Sequence, residues 1–198
     1  MNLNNSVAKN ALYSLIAGLV LLLAGCVTAA VGVVAVTTID VVKDQRTMGT
    51  LLDDNIIEAT IIKEMITDPS LDGTTHINTT VVNGIVLLTG EVSNTQQKFR
   101  ASEIANSYQG VDQVVNQLEV LGKSSLTSRT NDSLITAKVK TELIRNKDVE
   151  ASNIKVVTER SVVYLLGIVT PQQGDIAVSL AKQVGGVERS VKIFMAPA

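Results

Sequence analysis

The spacing of apolar residues changes from one segment of the chain to the next, and the same series of changes occurs twice. Each series begins with a segment of helical spacing that opens at an aspartate, Asp54 or Asp132, which we predict to be the helix N-cap. Two short β-branched runs follow, then a segment with apolar residues at i, i+3, i+4 and i+7, then a last β-branched run. Both series therefore predict helix, strand, strand, helix, strand.

The two series match position by position, as the copies of an internal repeat do. In the first helix the matched pairs are Asp54 with Asp132, Ile57 with Ile135, Ala59 with Ala137, Met65 with Leu143 and Ile66 with Ile144. In the strands they include Ile77 with Ile154, Val86 with Val163, Leu88 with Leu165 and Gly90 with Gly167. The predicted fold class is α+β: two tandem domains, each αββαβ with two helices packed on a three-stranded sheet.

Turn residues separate the predicted strands. Asn83-Gly84 favours a tight hairpin between the first two strands, because both residues tolerate a positive φ. The predicted strands of the first copy are 76–82, 85–89 and 114–120, and those of the second copy are 153–159, 162–166 and 189–195.

The N-terminus has a different pattern. Lys9 is followed by an uncharged apolar stretch from Ala11, which ends in Leu23-Ala24-Gly25-Cys26. A basic residue, an apolar stretch and small residues before a cysteine are the parts of a bacterial lipoprotein signal. Cys26 is the only cysteine, so it has no disulfide partner within the chain, and we predict that it is lipidated. The alternative is a transmembrane helix within residues 11–39, which carry no charge.

The predicted organisation has five parts. They are a signal peptide over 1–25, a lipidated N-terminus and spacer over 26–50, one domain over 51–121, a linker over 122–131 and a second domain over 132–196. The stretch 27–42 is too apolar for an ordinary flexible linker. Val27 stands where, in lipoproteins generally, an aspartate opposes sorting to the outer membrane. We therefore expect a lipid-anchored protein on the periplasmic face of the outer membrane.

Composition excludes several classes of protein. The 17 basic and 19 acidic residues give a net charge of −2, and aromatic residues make up 3% of the chain, so the features of a nucleic-acid binder are missing. His76 is the only histidine, and we interpret it as a polar residue that opens a strand. The sequence contains no spacing typical of metal ligands. We predict no catalytic residue, no metal, no small-molecule substrate and no cofactor apart from the lipid on Cys26.

Charge distinguishes the two copies. Residues 53–68 carry five acidic side chains and one basic one, whereas residues 129–147 carry five basic and two acidic ones. On a helical wheel, four residues fall within an arc of about 60°, which we predict to face outward. A neighbouring apolar stripe is suited to the core. The outward group is Leu134, Lys138, Thr141 and Arg145, and the stripe is Ile135, Val139 and Leu143. The outward group suits an anionic lipid surface. The alternatives are a solvated basic face or one that docks onto the acidic first copy.

Both copies resemble the BON domain, and the order of lipobox, spacer and two copies is similar to that of the dual-BON outer-membrane lipoproteins. The motifs that carry the resemblance are Asn-Gly-Ile-Val-Leu-Leu-Thr-Gly over 83–90, Gly110-Val111, and residues 131–139. Two positions depart from the family: Arg160-Ser161 replaces a glycine turn, and Leu134 stands where relatives can place a tryptophan. The resemblance implies a non-enzymatic protein associated with envelope stress and phospholipid binding.

Two functions are expected from these features together. The first is an outer-membrane-anchored periplasmic lipoprotein whose second BON domain binds anionic phospholipid through Leu134, Lys138, Thr141 and Arg145 and supports envelope integrity. The alternative is a module that binds an envelope protein through a sheet edge or the same basic face, without direct lipid recognition. Lipid contact should depend on anionic headgroups and salt, whereas a protein partner should bind without lipid.

Overall fold

The structure is a computed structural model that describes residues 48–71, 73, 75–122 and 125–197. The signal peptide, Cys26 and the apolar stretch 27–42 lie outside these residues. Within them, no helix combines the length and the hydropathy that crossing a bilayer requires. Residues 44–198 form one compact unit, which holds both copies of the repeat.

The first copy has the predicted order of elements. They are α1 (Met48–Thr67), β1 (His76–Val82), β2 (Ile85–Val92), α2 (Thr95–Asn106), β3 (Gln113–Asn116) and β4 (Glu119–Val120). β2 is central: β1 pairs with it antiparallel on one side, and β3 and β4 pair with it parallel on the other. Together β3 and β4 make one edge strand that is interrupted at Leu118, whose side chain is buried in the core.

The second copy repeats this order without the interruption. Its elements are α3 (Leu126–Arg145), a short 3-10 helix (Ala151–Asn153), β5 (Ile154–Glu159), β6 (Val162–Ile168), α4 (Pro171–Gln183) and β7 (Arg189–Met195). β6 lies between an antiparallel β5 and a parallel β7. The α+β fold class with two copies of αββαβ is confirmed.

Two helices extend beyond the predicted domain limits. α1 begins at Met48, inside the segment 26–50, and α3 begins at Leu126, inside the predicted linker 122–131. Ser125 caps α3, since its Oγ accepts a hydrogen bond from the backbone N–H of Ser128 at 3.2 Å. Part of a serine-rich segment that looks like a linker by composition is therefore the start of a helix.

Asp54 and Asp132 are not N-caps, so this prediction is wrong. Both lie inside long helices and reach across to the hairpin turn of their own domain. Asp54 accepts hydrogen bonds from the backbone N–H groups of Asn83 (2.6 Å) and Gly84 (3.1 Å). Asp132 accepts the equivalent pair from Arg160-Ser161, both at 2.9 Å. Both turns have positive φ at their two central residues, as type I′ turns do, and each aspartate holds that geometry.

Each domain has its own core between its helices and one face of its sheet. In β2 the side chains that face the helices include Val86 and Leu88, and in β6 they include the matched Val163 and Leu165. All four are completely inaccessible to solvent. The repeat therefore preserves the core positions of the central strand.

The other faces of the two sheets pack against each other. Val82 and Leu87 of the first domain share one buried cluster with Val162, Tyr164 and Leu166 of the second. The helices therefore cover the outer faces, and the layers run helices, sheet, sheet, helices. Both faces of β2 and β6 are covered, which fits the uninterrupted apolar stretches 85–88 and 162–166 in these strands.

Candidate functional site

The predicted lipid-contact residues all lie on the outward face of α3. Leu134, Lys138, Thr141 and Arg145 are exposed, Leu134 over 56% of its surface. Ile144, which we did not assign to this face from the sequence, is exposed over 73% and adjoins it along the helix. The surface therefore presents two large apolar side chains beside two cations.

The opposite side of α3 holds the helix in the core of the second domain. Ile135, Val139 and Leu143 are each at most 1% exposed and pack with the sheet and α4, as the apolar stripe predicts. Because these three side chains fix the rotation of the helix about its axis, the outward residues cannot turn inward. The exposure of Leu134 is thus a consequence of how the core packs.

The hydrogen bonds and ion pairs of the outward side chains are local to the helix. Arg145 Nη1 lies 3.0 Å from Glu142 Oε1, and Thr141 Oγ1 donates to the carbonyl oxygen of Ala137 at 2.8 Å. An exposed ion pair such as Arg145–Glu142 contributes at most about 1 kcal/mol. The guanidinium can therefore exchange this partner for a phosphate at little cost.

A groove between α3 and α4 adjoins this face. It encloses about 340 Å³ and is lined by Lys138, Glu142, Leu180, Gln183, Val184 and Gly185. Lys138 belongs both to the groove and to the outward face of α3. An anionic group bound near this lysine would therefore have a polar recess beside it.

The matched helix of the first domain presents a different surface. α1 exposes Leu52, Ile56 and Ile66 together with the acidic Asp53 and Glu64. α1 and α3 lie in opposite outer layers because both sheets stand between them. The acidic helix of the first copy therefore does not cover the basic face of the second within one chain, contrary to the alternative raised from charge.

A buried polar cluster lies where the two domains meet. Glu91, near the end of β2, is completely inaccessible, and its Oε1 accepts a hydrogen bond from Arg160 Nη1 at 3.1 Å. Its Oε2 lies 3.3 Å from His76 Nδ1. Glu159 is 7% exposed and accepts from Asn78 Nδ2 at 2.7 Å. Since Glu159 and Arg160 come from the second domain and the other residues from the first, these contacts join the domains.

Comparison with known proteins identifies both copies. The sequence profile of the BON domain matches residues 53–122 and again residues 131–191. The chain belongs to the BON-domain family. A relative from Haemophilus influenzae, outer membrane lipoprotein DolP, is 34% identical over 181 residues, which cover 91% of this BON protein and 93% of the relative.

Two further relatives are similar over most of their length. The 21 kDa hemolysin of Actinobacillus pleuropneumoniae is 32% identical over 151 residues, 76% of this chain and 78% of that protein. Osmotically-inducible protein Y of Escherichia coli is 32% identical over 148 residues, 73% of each chain. The resemblance to the dual-BON outer-membrane lipoproteins is confirmed. This BON protein is a lipoprotein of the outer membrane, on its periplasmic face.

Burial controls the electrostatics at the junction of the BON domains. Burial raises the pKa of Glu159 above its ordinary value; the hydrogen bond from Asn78 opposes this effect, and the nearby Glu91 carboxylate adds to it. The Glu159 carboxyl group therefore holds a proton more firmly than an exposed glutamate does.

Sequence reasoning missed this interdomain cluster. The available signal was Glu91, a charged residue near the end of β2, in a strand whose residues are all buried. Arg160 was noted only because it departs from the glycine turn of the BON family. The contact between the two was not predictable from spacing, because it forms only when the two BON domains pack.

Proposed function

We propose that this BON protein is a non-enzymatic lipoprotein whose second domain binds anionic phospholipid through α3 and thereby supports the integrity of the envelope. The observation that supports this best is the outward face of α3, where Leu134 and Ile144 are exposed beside Lys138 and Arg145. Exposed apolar side chains next to cations suit the border of a bilayer, since the first can enter the hydrocarbon while the second contact headgroup phosphates.

The basic side chains contribute a modest binding free energy at an anionic surface. This contribution is sufficient for a domain that a lipid anchor already holds near the bilayer. Each basic residue near an anionic surface contributes about 1 kcal/mol, and α3 together with the loop after it brings Lys138, Lys140, Arg145 and Lys147 to this side. The lipid anchor keeps the domain at a high local concentration near the bilayer, so weak contacts become effective. With α3 on the lipid, the acidic α1 in the opposite layer faces away from the anionic surface.

Cys26 is the proposed attachment site of the anchor, with acyl chains that include palmitate. Metabolic labelling with radioactive palmitate is expected to mark the parent chain and to fail for Cys26→Ser. The substituted chain should also be missing from the outer-membrane fraction when the membranes of disrupted cells are separated. Labelling that survives Cys26→Ser would exclude this cysteine as the attachment site.

Liposome co-sedimentation tests the lipid contact without the anchor. Residues 44–198 are mixed with vesicles of zwitterionic lipid alone or with added anionic phospholipid. We expect binding that requires the anionic lipid, falls as salt rises, and is lost in a folded Lys138→Glu, Arg145→Glu variant.

The matched control reverses the same amount of charge elsewhere. Lys63 on α1 and Lys155 on β5 are exposed and lie outside the proposed surface, so Lys63→Glu, Lys155→Glu should bind vesicles nearly as well as the parent. Equal losses in both double variants would mean that net charge alone attracts the protein. No binding by the parent would overturn the lipid proposal.

An envelope protein is the second candidate partner, and the surface of α1 favours it. Leu52, Ile56 and Ile66 are exposed on the side of the molecule away from α3, where a membrane bound to α3 does not reach. A complex formed through this surface should survive in the absence of lipid and be weakened by Ile56→Ser, which leaves vesicle binding unchanged. Loss of both activities together would argue against a separate protein surface.

A further inference from the structure

Three side chains at the junction of the BON domains carry atoms of the kinds that bind metals. A ring nitrogen of His76 and a carboxylate oxygen of each of Glu91 and Glu159 all lie within 4.8 Å of one another. His76 and Glu91 stand opposite each other in the register of β1 and β2, and Glu159 comes from the last position of β5. The packing of the two sheets brings together a set that has no recognisable spacing in the sequence.

The carboxylates of this set are buried and closely placed. Glu91 is completely inaccessible and Glu159 is 7% exposed, so their charges are unfavourable unless cations or donors surround them. Arg160 supplies one guanidinium, which is shared between Glu91 and Glu119, the latter at 3.8 Å from its Nε. With one guanidinium facing several carboxylates, the junction can accommodate a further cation.

Two donors orient the carboxylates in the way that outer groups orient metal ligands. Arg160 Nη1 donates to Glu91 Oε1, while Glu91 Oε2 is the oxygen that faces His76. Asn78 Nδ2 donates to Glu159 Oε2. Hydrogen bonds from outer groups to ligating carboxylates fix their direction and typically change metal affinity by about 10–100-fold.

The junction is also reachable from solvent. The side chain of His76 is 20% exposed and that of Arg160 is 38% exposed, so one side of the cluster opens to water. An ion can therefore enter without separation of the two domains, and water can occupy the coordination positions that the protein leaves open.

We propose that His76, Glu91 and Glu159 form a binding site for a zinc-class divalent ion that joins the two BON domains. One imidazole nitrogen with two carboxylate oxygens suits Zn²⁺ better than Mg²⁺ or Ca²⁺, which prefer oxygen ligands alone. Zinc ligands lie about 2.0–2.2 Å from the ion, so the three atoms would move together by roughly an ångström on binding. Because the ligands come from both domains, the ion stabilises the packed arrangement of the two sheets.

Zn²⁺ titration of the full-length Cys26→Ser chain in detergent tests the site, since this chain has no thiol that could compete for zinc. Isothermal titration calorimetry should give one Zn²⁺ per chain, and Zn²⁺ should raise the Tm. His76→Asn and Glu159→Gln should each weaken binding by about tenfold or more, because each removes one of three ligands. Glu159→Gln is close to isosteric with the parent, so it provides a folded variant if His76→Asn proves unstable.

Glu119→Gln is the matched control, because Glu119 also lies near Arg160 but is outside the ligand set. It should bind Zn²⁺ like the parent. Absence of saturable Zn²⁺ binding by the parent, or binding unchanged in both ligand variants, would overturn the proposal, and equal affinity for Mg²⁺ would overturn the zinc class. The Lys138→Glu, Arg145→Glu variant should retain zinc binding, so this site and the lipid surface can fail independently.

Discussion

Helices α1 and α3 occupy equivalent places in the two BON domains and differ in the charge of their outer faces. Their inward positions match: Ile61 with Val139 and Met65 with Leu143 are all buried. The exposed charged side chains of α1 are Asp53, Lys63 and Glu64, whereas those of α3 are Lys138, Lys140 and Arg145. Packing constrains only the inward side of such a helix, so the outward side can diverge without loss of the fold. In a repeat of this kind, the positions at which the copies differ are the better guide to function.

The hairpin turns of the two domains have similar backbone geometry but are built from different residues. The first turn has Asn83 and Gly84 with φ of 50° and 73°, and the second has Arg160 and Ser161 with φ of 49° and 64°. The second domain therefore keeps a left-handed turn without a glycine, at an energetic cost that its aspartate helps to offset. The residue it gains is Arg160, which reaches Glu91 of the first domain.

The largest effect is expected where the two domains agree most closely, at Gly90 and Gly167. A Cβ at Gly90 would collide with the backbone carbonyl of His76 on β1, and one at Gly167 with that of Asn153 just before β5; both glycines have a positive φ. Gly90→Ala and Gly167→Ala should each lower the free energy of unfolding by about 2–4 kcal/mol, measured by urea denaturation of residues 44–198.

Gly73→Ala and Gly185→Ala are the controls for these two substitutions, since a Cβ there meets no atom within 4 Å. They should change the stability by less than about 0.5 kcal/mol. A large loss at Gly90 with none at Gly167 would show that the two sheets do not share this close approach.

The next effect concerns the aspartates that hold the turns. Asp132→Ala leaves the backbone N–H groups of Arg160 and Ser161 without this acceptor, and we expect it to lower stability by about 2–3 kcal/mol. Asp54→Ala should cost less, about 1–2 kcal/mol, because the turn it holds contains a glycine that adopts positive φ readily.

Ser161→Gly tests the reason for this difference. It relieves a positive φ and should recover about 1 kcal/mol in the Asp132→Ala background, as measured by the urea midpoint at unchanged slope. Equal losses in Asp54→Ala and Asp132→Ala, with no recovery by Ser161→Gly, would contradict the role assigned to the glycine.

A smaller effect is expected from the apolar part of the α3 surface. Leu134→Ser with Ile144→Ser should weaken binding to anionic vesicles by about tenfold, or roughly 1.4 kcal/mol, because two side chains no longer enter the hydrocarbon. The matched change on α1, Ile56→Ser with Ile66→Ser, should leave vesicle binding unchanged. If the α1 variant lost as much affinity as the α3 variant, the orientation with α3 on the lipid would be wrong.

The smallest expected effect is the stability that the fold loses at low pH when Asp68 becomes protonated. Asp68 accepts hydrogen bonds from the side chain and backbone of Ser70 and pairs with Arg100 at 2.8 Å, and these contacts lower its pKa from 3.8 to about 2. The matched Asn146 makes the same turn, accepting from the backbone N–H of Asp148 at 2.9 Å, without a titratable group.

A lowered pKa in the folded state means that the charged form of Asp68 stabilises the fold. This contribution is complete above pH 3.8 and is lost as the pH falls toward 2. The stability difference between the parent and Asp68→Asn should therefore shrink over that range in urea denaturation. Asn146→Ala should show no such convergence with the parent, and a constant gap for Asp68→Asn would contradict the pairing.

Much of this fold was predictable because its signals are local. The type I′ hairpin at Asn83-Gly84 requires two residues that tolerate positive φ, and both were visible in the sequence. The buried stripe of Ile135, Val139 and Leu143 follows from helical periodicity alone. The exposed position of Leu134 followed from the same wheel.

The errors arose where a local rule had a distant competitor. An aspartate before an apolar helical segment favours an N-cap, yet Asp132 bonds to a turn that lies far along the chain, because the helix begins earlier at Leu126. Ser125, in a segment that composition marks as a linker, takes the capping role instead. Capping rules choose among nearby residues and contain no information on which backbone groups a fold brings close.

Sequence alone was enough to establish the repeat, the α+β class, the BON resemblance and the outward basic face of α3, since each rests on periodicity or on residues close together in the chain. The meeting of the two sheets, and with it the cluster of His76, Glu91 and Glu159, depended on the packed fold. The physical reason is that the apolar positions of β2 and β6 are compatible with burial on both faces but do not specify the surface that covers the second face. Only the contact between the two domains brings Glu91 and Arg160 together.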